Sequence, residues 1–124
     1  MLEKFSKEEK LKSRKKIENL FQDGKGIKKF PLLLVHNSDF QNLEKPQAGF
    51  SVSKRNFKLA VDRNRYKRLM RESYRKMKSD FDSDLLPSAF MFIYIARKSF
   101  KLSEIETQMR KILTELISLQ REQS

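Results

Sequence analysis

The chain has 124 residues, 28 lysines and arginines against 16 acids, a formal net charge of +12 and no cysteine. That length fits one ordinary domain, and the charge excess points to a polyanionic partner, nucleic acid before a membrane surface. The missing cysteine excludes disulfides, thiol catalysis and cysteine-ligated zinc, and it fits a reducing cytoplasm. No apolar run approaches the roughly 18 residues of a bilayer span, and the charged Met1–Lys10 stretch does not read as a secretory signal.

In chain order, Ser13 is placed to cap a helix running to about Asp23, with Ile17, Leu20 and Phe21 on one face and Gly24 suited to a left-handed C-terminal cap. Ser6 and Glu9 form an earlier capping-box pattern, but residues 1–12 are too charged to bury much and are expected to be a flexible tail. Lys25–Lys29 reads as a basic connector. Phe30–His36 reads as a strand, with Pro31 placing it at a strand start or sheet edge. Asn37–Pro46 is polar and loop-like. Ala48, Phe50 and Val52 alternate with Gly49, Ser51 and Ser53, the pattern of a half-buried strand.

A helix then spans about Phe57 to Lys78, with Asn56 or Asp62 as its N-cap. Phe90–Ala96 is apolar at nearly every position, which suits a central strand covered on both faces. Ser103 and Glu106 form a capping box ahead of a stripe of Ile105, Met109, Ile112, Leu113, Leu116 and Ile117, and residues 119–124 are expected to be a second tail. The order predicts one α+β domain over residues 1–124: a small mixed sheet of about four strands with three helices.

The charge is concentrated. Lys54–Lys78 holds eleven basic side chains and two acidic ones, a net of +9 out of +12. At about 100° per residue, Tyr66, Leu69, Met70, Ser73, Tyr74 and Met77 fall in a sector of roughly 140°. Asn64, Arg68, Arg71 and Arg75 fall on the opposite side, flanked by Lys67 and Lys78. A solvated surface helix usually alternates charge sign at i, i+4, whereas here Lys67 faces Arg71 and Arg71 faces Arg75. Such a face is expected where a polyanion neutralises it. Arginine's planar fork also grips phosphates and base edges in pairs of hydrogen bonds. Asn64 is suited to a base edge or a ribose 2′-hydroxyl, with a helix cap or plain solvent contact as the simpler role.

These residues carry a resemblance. Phe50-Ser51-Val52-Ser53-Lys54-Arg55 and then Ala60-Val61-Asp62-Arg63-Asn64-Arg65-Tyr66-Lys67-Arg68-Leu69-Met70-Arg71-Glu72 resemble the protein component of bacterial ribonuclease P. Ile95-Ala96-Arg97-Lys98 and the early Ile17-Glu18-Asn19-Leu20-Phe21 segment match as well, so the resemblance covers nearly the whole chain. It implies an α+β sandwich with a left-handed β-α-β crossover through the basic helix. It also implies a protein cofactor of a catalytic RNA that removes the 5′ leader from precursor tRNA with magnesium.

On that resemblance, Lys54, Arg55, Arg63, Asn64, Arg65, Lys67, Arg68, Arg71 and Arg75 bind RNA. Ile17, Phe21, Phe50, Val52, Arg97 and Lys98 line the leader cleft, with Lys54 and Arg55 near it. No protein side chain is implied as catalyst or metal ligand, and no protein partner or membrane is required. Two features depart from the family: Asn56-Phe57-Lys58-Leu59 lacks the glycine common before the basic helix, and Ile17 replaces an aromatic. Core packing is the plain alternative for Ile17 and Phe21.

The residues themselves argue against protein-based hydrolysis. The one histidine, His36, sits in an apolar strand, and Asp80, Asp82 and Asp84 lack the glycine and distal ligand of a calcium loop. A general ribosomal-type or RNA-assembly protein, without a precursor-tRNA role, is the competing reading.

Overall fold

The structure, a computed structural model, describes residues 9–37 and 46–123. Its elements are α1 (Arg14–Asp23), β1 (Lys25–Lys29), β2 (Leu32–His36), β3 (Gln47–Val52), α2 (Ala60–Met77), β4 (Ala89–Tyr94) and α3 (Leu102–Gln123). Two single 3₁₀ turns, Lys78–Asp80 and Ser83–Leu85, link α2 to β4. The four strands form one mixed sheet in the order β1-β2-β4-β3. β1, β2 and β4 are antiparallel neighbours, and β3 runs parallel to β4, joined to it through α2.

Strand parity divides the sheet into two faces. Leu32, Leu34, Phe90, Phe92, Tyr94, Ala48 and Val52 point toward α2 and α3 and join the main core. There they meet the α2 stripe of Tyr66, Met70, Tyr74 and Met77 and the α3 stripe of Ile105, Met109, Ile112, Leu113, Leu116 and Ile117. Aromatic rings knit the layers. Tyr66 stacks on Tyr94 with centroids 4.7 Å apart, and Phe57 lies 4.6 Å from Tyr66. Burial pushes the Tyr94 hydroxyl up to about 12. On the other face Met91 and Ala89 pack with Leu11 and Leu20. β4 is thus covered on both sides, as its unbroken apolar run requires.

Several local expectations are corrected. The segment Lys25–Lys29 is an edge strand rather than a connector: Ile27 supplies its one buried side chain, and a two-residue Phe30-Pro31 turn, with a cis peptide, pairs it to β2. Ser13 does cap α1, accepting from the Lys16 N–H at 3.3 Å. Gly24, however, is extended (φ −72°) rather than left-handed, because the chain passes straight into β1. Glycine is still needed there, since an added Cβ would run into the Leu20 carbonyl and stand 2.8 Å from Val35 Cγ1.

Neither Asn56 nor Asp62 caps α2. Leu59 holds the N-cap position without a side-chain bond, and Asp62 lies within the first turn. α3 begins at Leu102, so Ser103 is already helical and the capping box does not form at that position. The tails are shorter than expected. Lys10 bridges to Ala48, the Leu11 N–H donates to the Ala48 carbonyl at 2.9 Å, and α3 continues to Gln123. Most of the 37–46 loop, and Ser6 with its early capping box, lie outside the described residues.

Candidate nucleic-acid interface

α2 lays its buried stripe on β3 and α3 and turns its charged side outward. Asn64, Arg65, Arg68 and Arg71 are exposed, and Lys67 is half-buried. Among the described residues, Arg65, Arg68 and Arg71 make no hydrogen bond or ion pair with the protein. Spaced three apart, they place guanidinium groups free of hydrogen bonds and ion pairs along one side of the helix, about a turn from one to the next.

Not every basic residue of the segment is available to a ligand. Arg63 turns back, and its Nη1 donates to the Phe57 carbonyl at 2.8 Å and the Lys58 carbonyl at 2.7 Å. This guanidinium closes the glycine-free turn before α2, and no non-glycine residue among those described takes a positive φ. Arg75 grips Glu72 Oε2 with Nη2 at 3.0 Å and Nε at 3.2 Å. That bond holds the Glu72 carboxyl below the usual carboxylate range. Lys78 donates to Glu9 Oε2 at 2.6 Å, tying the N-terminal segment to the end of α2. The cationic surface is therefore centred on Arg65, Arg68 and Arg71 and stops short of Lys78.

A second basic group sits where the parallel strands β3 and β4 end together. Val52 pairs with Tyr94, so Lys54 and Arg55 leave the sheet beside Arg97 and Lys98. All four are exposed. The Asn56 side-chain amide donates to the Ile95 carbonyl at 3.2 Å and holds the two exits together.

Of the residues expected in the leader cleft, Phe50 and Val52 face the main core instead. Phe50 stacks on Phe92 at 6.0 Å and tilts against Tyr74, while Val52 is buried in that core. The face toward α1 carries their neighbours. A row of Lys28, Leu33, Ile93 and Ser51 crosses it in register, with Lys28 exposed and the other three half-buried. Ile17 packs partly against the Leu11–Leu20–Met91 cluster, and Phe21 is 56% exposed. The alternation of Gly49 and Ser51 with Phe50 is visible in the sequence, but strand parity alone does not say which set faces which helix.

The family model for ribonuclease P matches residues 5–118. The chain belongs to that family. Ribonuclease P protein components are among its relatives: from Porphyromonas gingivalis, 32% identical over 118 residues, 93% of this chain and 85% of that one; and from Vibrio vulnificus, 36% over 97 residues, 77% and 74%. A Pseudomonas fluorescens relative is 42% identical over 77 residues, and there the match spans only 56% of the relative's length. The fold matches the RNase P protein of Staphylococcus aureus (TM-score 0.67, 20% identity, 86% of this chain and 94% of that one). It also matches that of Thermotoga maritima (TM-score 0.64, 21% identity, 86% and 96%).

Within this family framework two acids of the 80–84 segment have internal tasks. Asp80 pairs with Arg110 at 3.0 Å, and Asp82 accepts from the Asp84 N–H at 3.0 Å. No three His, Asp or Glu side chains converge as metal ligands among the described residues. His36 is buried, with Nδ1 donating to the Asn37 carbonyl at 2.9 Å, and burial lowers its pKa. No helix among the described residues is long and apolar enough to cross a membrane.

Proposed function

We propose that this chain is the protein subunit of a ribonucleoprotein endoribonuclease that removes the 5′ leader from precursor tRNA in the cytoplasm. The observation that carries the reading is the row of exposed guanidinium groups Arg65, Arg68 and Arg71 on α2, none of them in a hydrogen bond or ion pair among the described residues. On this reading the row, with Asn64 and Lys67, holds phosphates of the catalytic RNA. Lys54, Arg55, Arg97 and Lys98 receive the leader at the sheet end. Ile17 and Phe21 flank the leader together with Lys28, Leu33, Ser51 and Ile93.

The protein's work is electrostatic and positional. Crowded phosphates repel, and a rigid cationic helix offsets that repulsion without chemistry of its own. On this reading the metal and the hydrolysis belong to the RNA. A direct test compares precursor and mature tRNA binding to the protein–RNA complex. Tighter binding of the leader-bearing substrate, weakened by Arg97→Ala with Lys98→Ala, supports the reading. Equal binding of both tRNAs would instead make the chain a general RNA-binding protein.

A further inference from the structure

The sheet end away from α1, which carries the basic group of Arg97 and Lys98, also carries an aromatic pair. Phe30, in the β1–β2 turn, is 51% exposed, and its ring meets Phe100 nearly edge-on, centroids 5.5 Å apart at 80°. Phe100 is backed by the main core, and Lys98 Nζ lies 5.6 Å from its ring centre. The backbone around the pair is pinned. The Ile95 N–H donates to the Pro31 carbonyl at 2.9 Å, and the Tyr94 hydroxyl donates to the Lys98 carbonyl at 2.7 Å.

A lone exposed phenylalanine needs no explanation. This one differs in its setting. It stands on a rigid turn, against a fixed second ring, between two segments that bring Lys28, Arg97, Lys98 and Lys101 to the surface. Neither segment, residues 24–37 or 95–103, contains an acid. Lys29 is set apart, paired with Glu115 on α3 at 3.5 Å. Glu104, just beyond the second segment, is an acid close enough to act on the Tyr94 hydroxyl, and the cations outnumber it. An aromatic face with cations in excess beside it is an arrangement that grips single-stranded nucleic acid, the ring stacking on a base and the cations meeting its phosphates. Duplex RNA hides its base faces and cannot use it. A second copy of this chain would bring a like charge of +12 toward the same patch.

We propose that Phe30, backed by Phe100 and flanked by Arg97 and Lys98, is a stacking platform for an unpaired nucleotide of bound RNA. The proposal rests on the RNA-binding reading above and extends it to base stacking, which the α2 face, with Tyr66 and Tyr74 buried, does not offer. The nucleotide belongs either to the leader upstream of the sheet end or to an unpaired segment of the catalytic RNA.

The chain has no tryptophan, so Phe30→Trp in the full-length protein introduces the only indole. Its fluorescence should be quenched saturably by a short RNA single strand without internal pairing, and far less by a paired duplex of the same length. Phe30→Leu keeps an apolar contact to Phe100 and should weaken binding of the single strand by about 5- to 20-fold, as removal of one stacked base predicts. Quenching by precursor tRNA but not mature tRNA assigns the nucleotide to the leader, and quenching by the catalytic RNA alone assigns it to that RNA; either supports the platform. Unquenched fluorescence with every single-stranded probe, together with unchanged affinity of Phe30→Leu, overturns it. So does a concentration-dependent dimer that Phe30→Leu abolishes. Because the single strand carries no tRNA, the platform is tested apart from leader removal: a wild-type chain that fails to stimulate cleavage while quenching persists would sink the function reading alone.

Discussion

Replacing Arg68 and Arg71 together by alanine separates the electrostatic role of α2 from its structural one. Both guanidinium groups are exposed and make no hydrogen bond or ion pair among the described residues, Arg68 having only a longer-range attraction to Glu72. Their removal should leave folding stability within about 0.5 kcal/mol per site, and slightly raised if relief of like-charge repulsion dominates. Removing the neutralisation of one phosphate lowers the slope of log affinity against log salt by about 0.7–0.9, so the double variant should show a slope smaller by roughly 1.4–1.8. Counterion release vanishes near 1 M salt, so the same figure weakens affinity for the catalytic RNA by about 25- to 60-fold at ~0.1 M salt. That corresponds to about 2 kcal/mol. Arg75→Ala is the internal control. Its guanidinium already holds Glu72, so its slope change should be smaller than that of either single variant, Arg68→Ala or Arg71→Ala. The assay is a binding titration across a salt series, with urea denaturation run in parallel. An unchanged slope in the double variant, or a slope change in Arg75→Ala as large as in Arg68→Ala, would refute the argument.

Three further outcomes follow from the packing. Leu11→Ala removes a buried side chain from the smaller cluster and should cost about 2–3 kcal/mol by urea denaturation, which a flexible tail through residue 12 would not show. Gly24→Ala forces a Cβ against the Leu20 carbonyl and Val35 and should destabilise by about 1–3 kcal/mol, the usual range for overpacking. His36 is held below its ordinary value of 6.5 by burial, so the unfolded chain binds a proton more readily than the folded one. Its contribution is complete above pH 6.5 and is lost as the pH falls through the lowered folded value; His36→Phe should flatten that part of the stability profile.

The elements with strong periodicity are legible in the sequence. The α2 stripe of Tyr66, Met70, Ser73, Tyr74 and Met77 is buried as the 3.6-residue period requires, and α3 follows the same rule. β4 announces its central place by lacking any polar position. β1 does not, because Lys-Gly-Ile-Lys-Lys offers a single apolar residue, and its strand state comes from pairing with β2 across a two-residue turn. Phe50 and Val52 stand in the motif that carries the family resemblance, which is why the sequence suggests them for a leader cleft. Their face is decided by which helices cover which side of the sheet, a tertiary fact. A count of charge along the chain likewise places Lys78 with the exposed cations of α2. Its partner Glu9 lies 69 residues away in sequence, so only the fold reveals the pair. Arg75–Glu72, at i, i+3, is within reach of the sequence; Arg63 closing onto Phe57 and Lys58 is not.

The most direct test of the central claim is reconstitution of this protein with its matching catalytic RNA and a 5′-leader-bearing precursor tRNA at low magnesium. The account predicts that cleavage at the mature 5′ end is strongly stimulated by the wild-type chain and weakly by the folded Arg68→Ala/Arg71→Ala variant, with the difference shrinking as magnesium is raised. Cleavage that is no faster with the protein than without it, at any magnesium concentration, would contradict it.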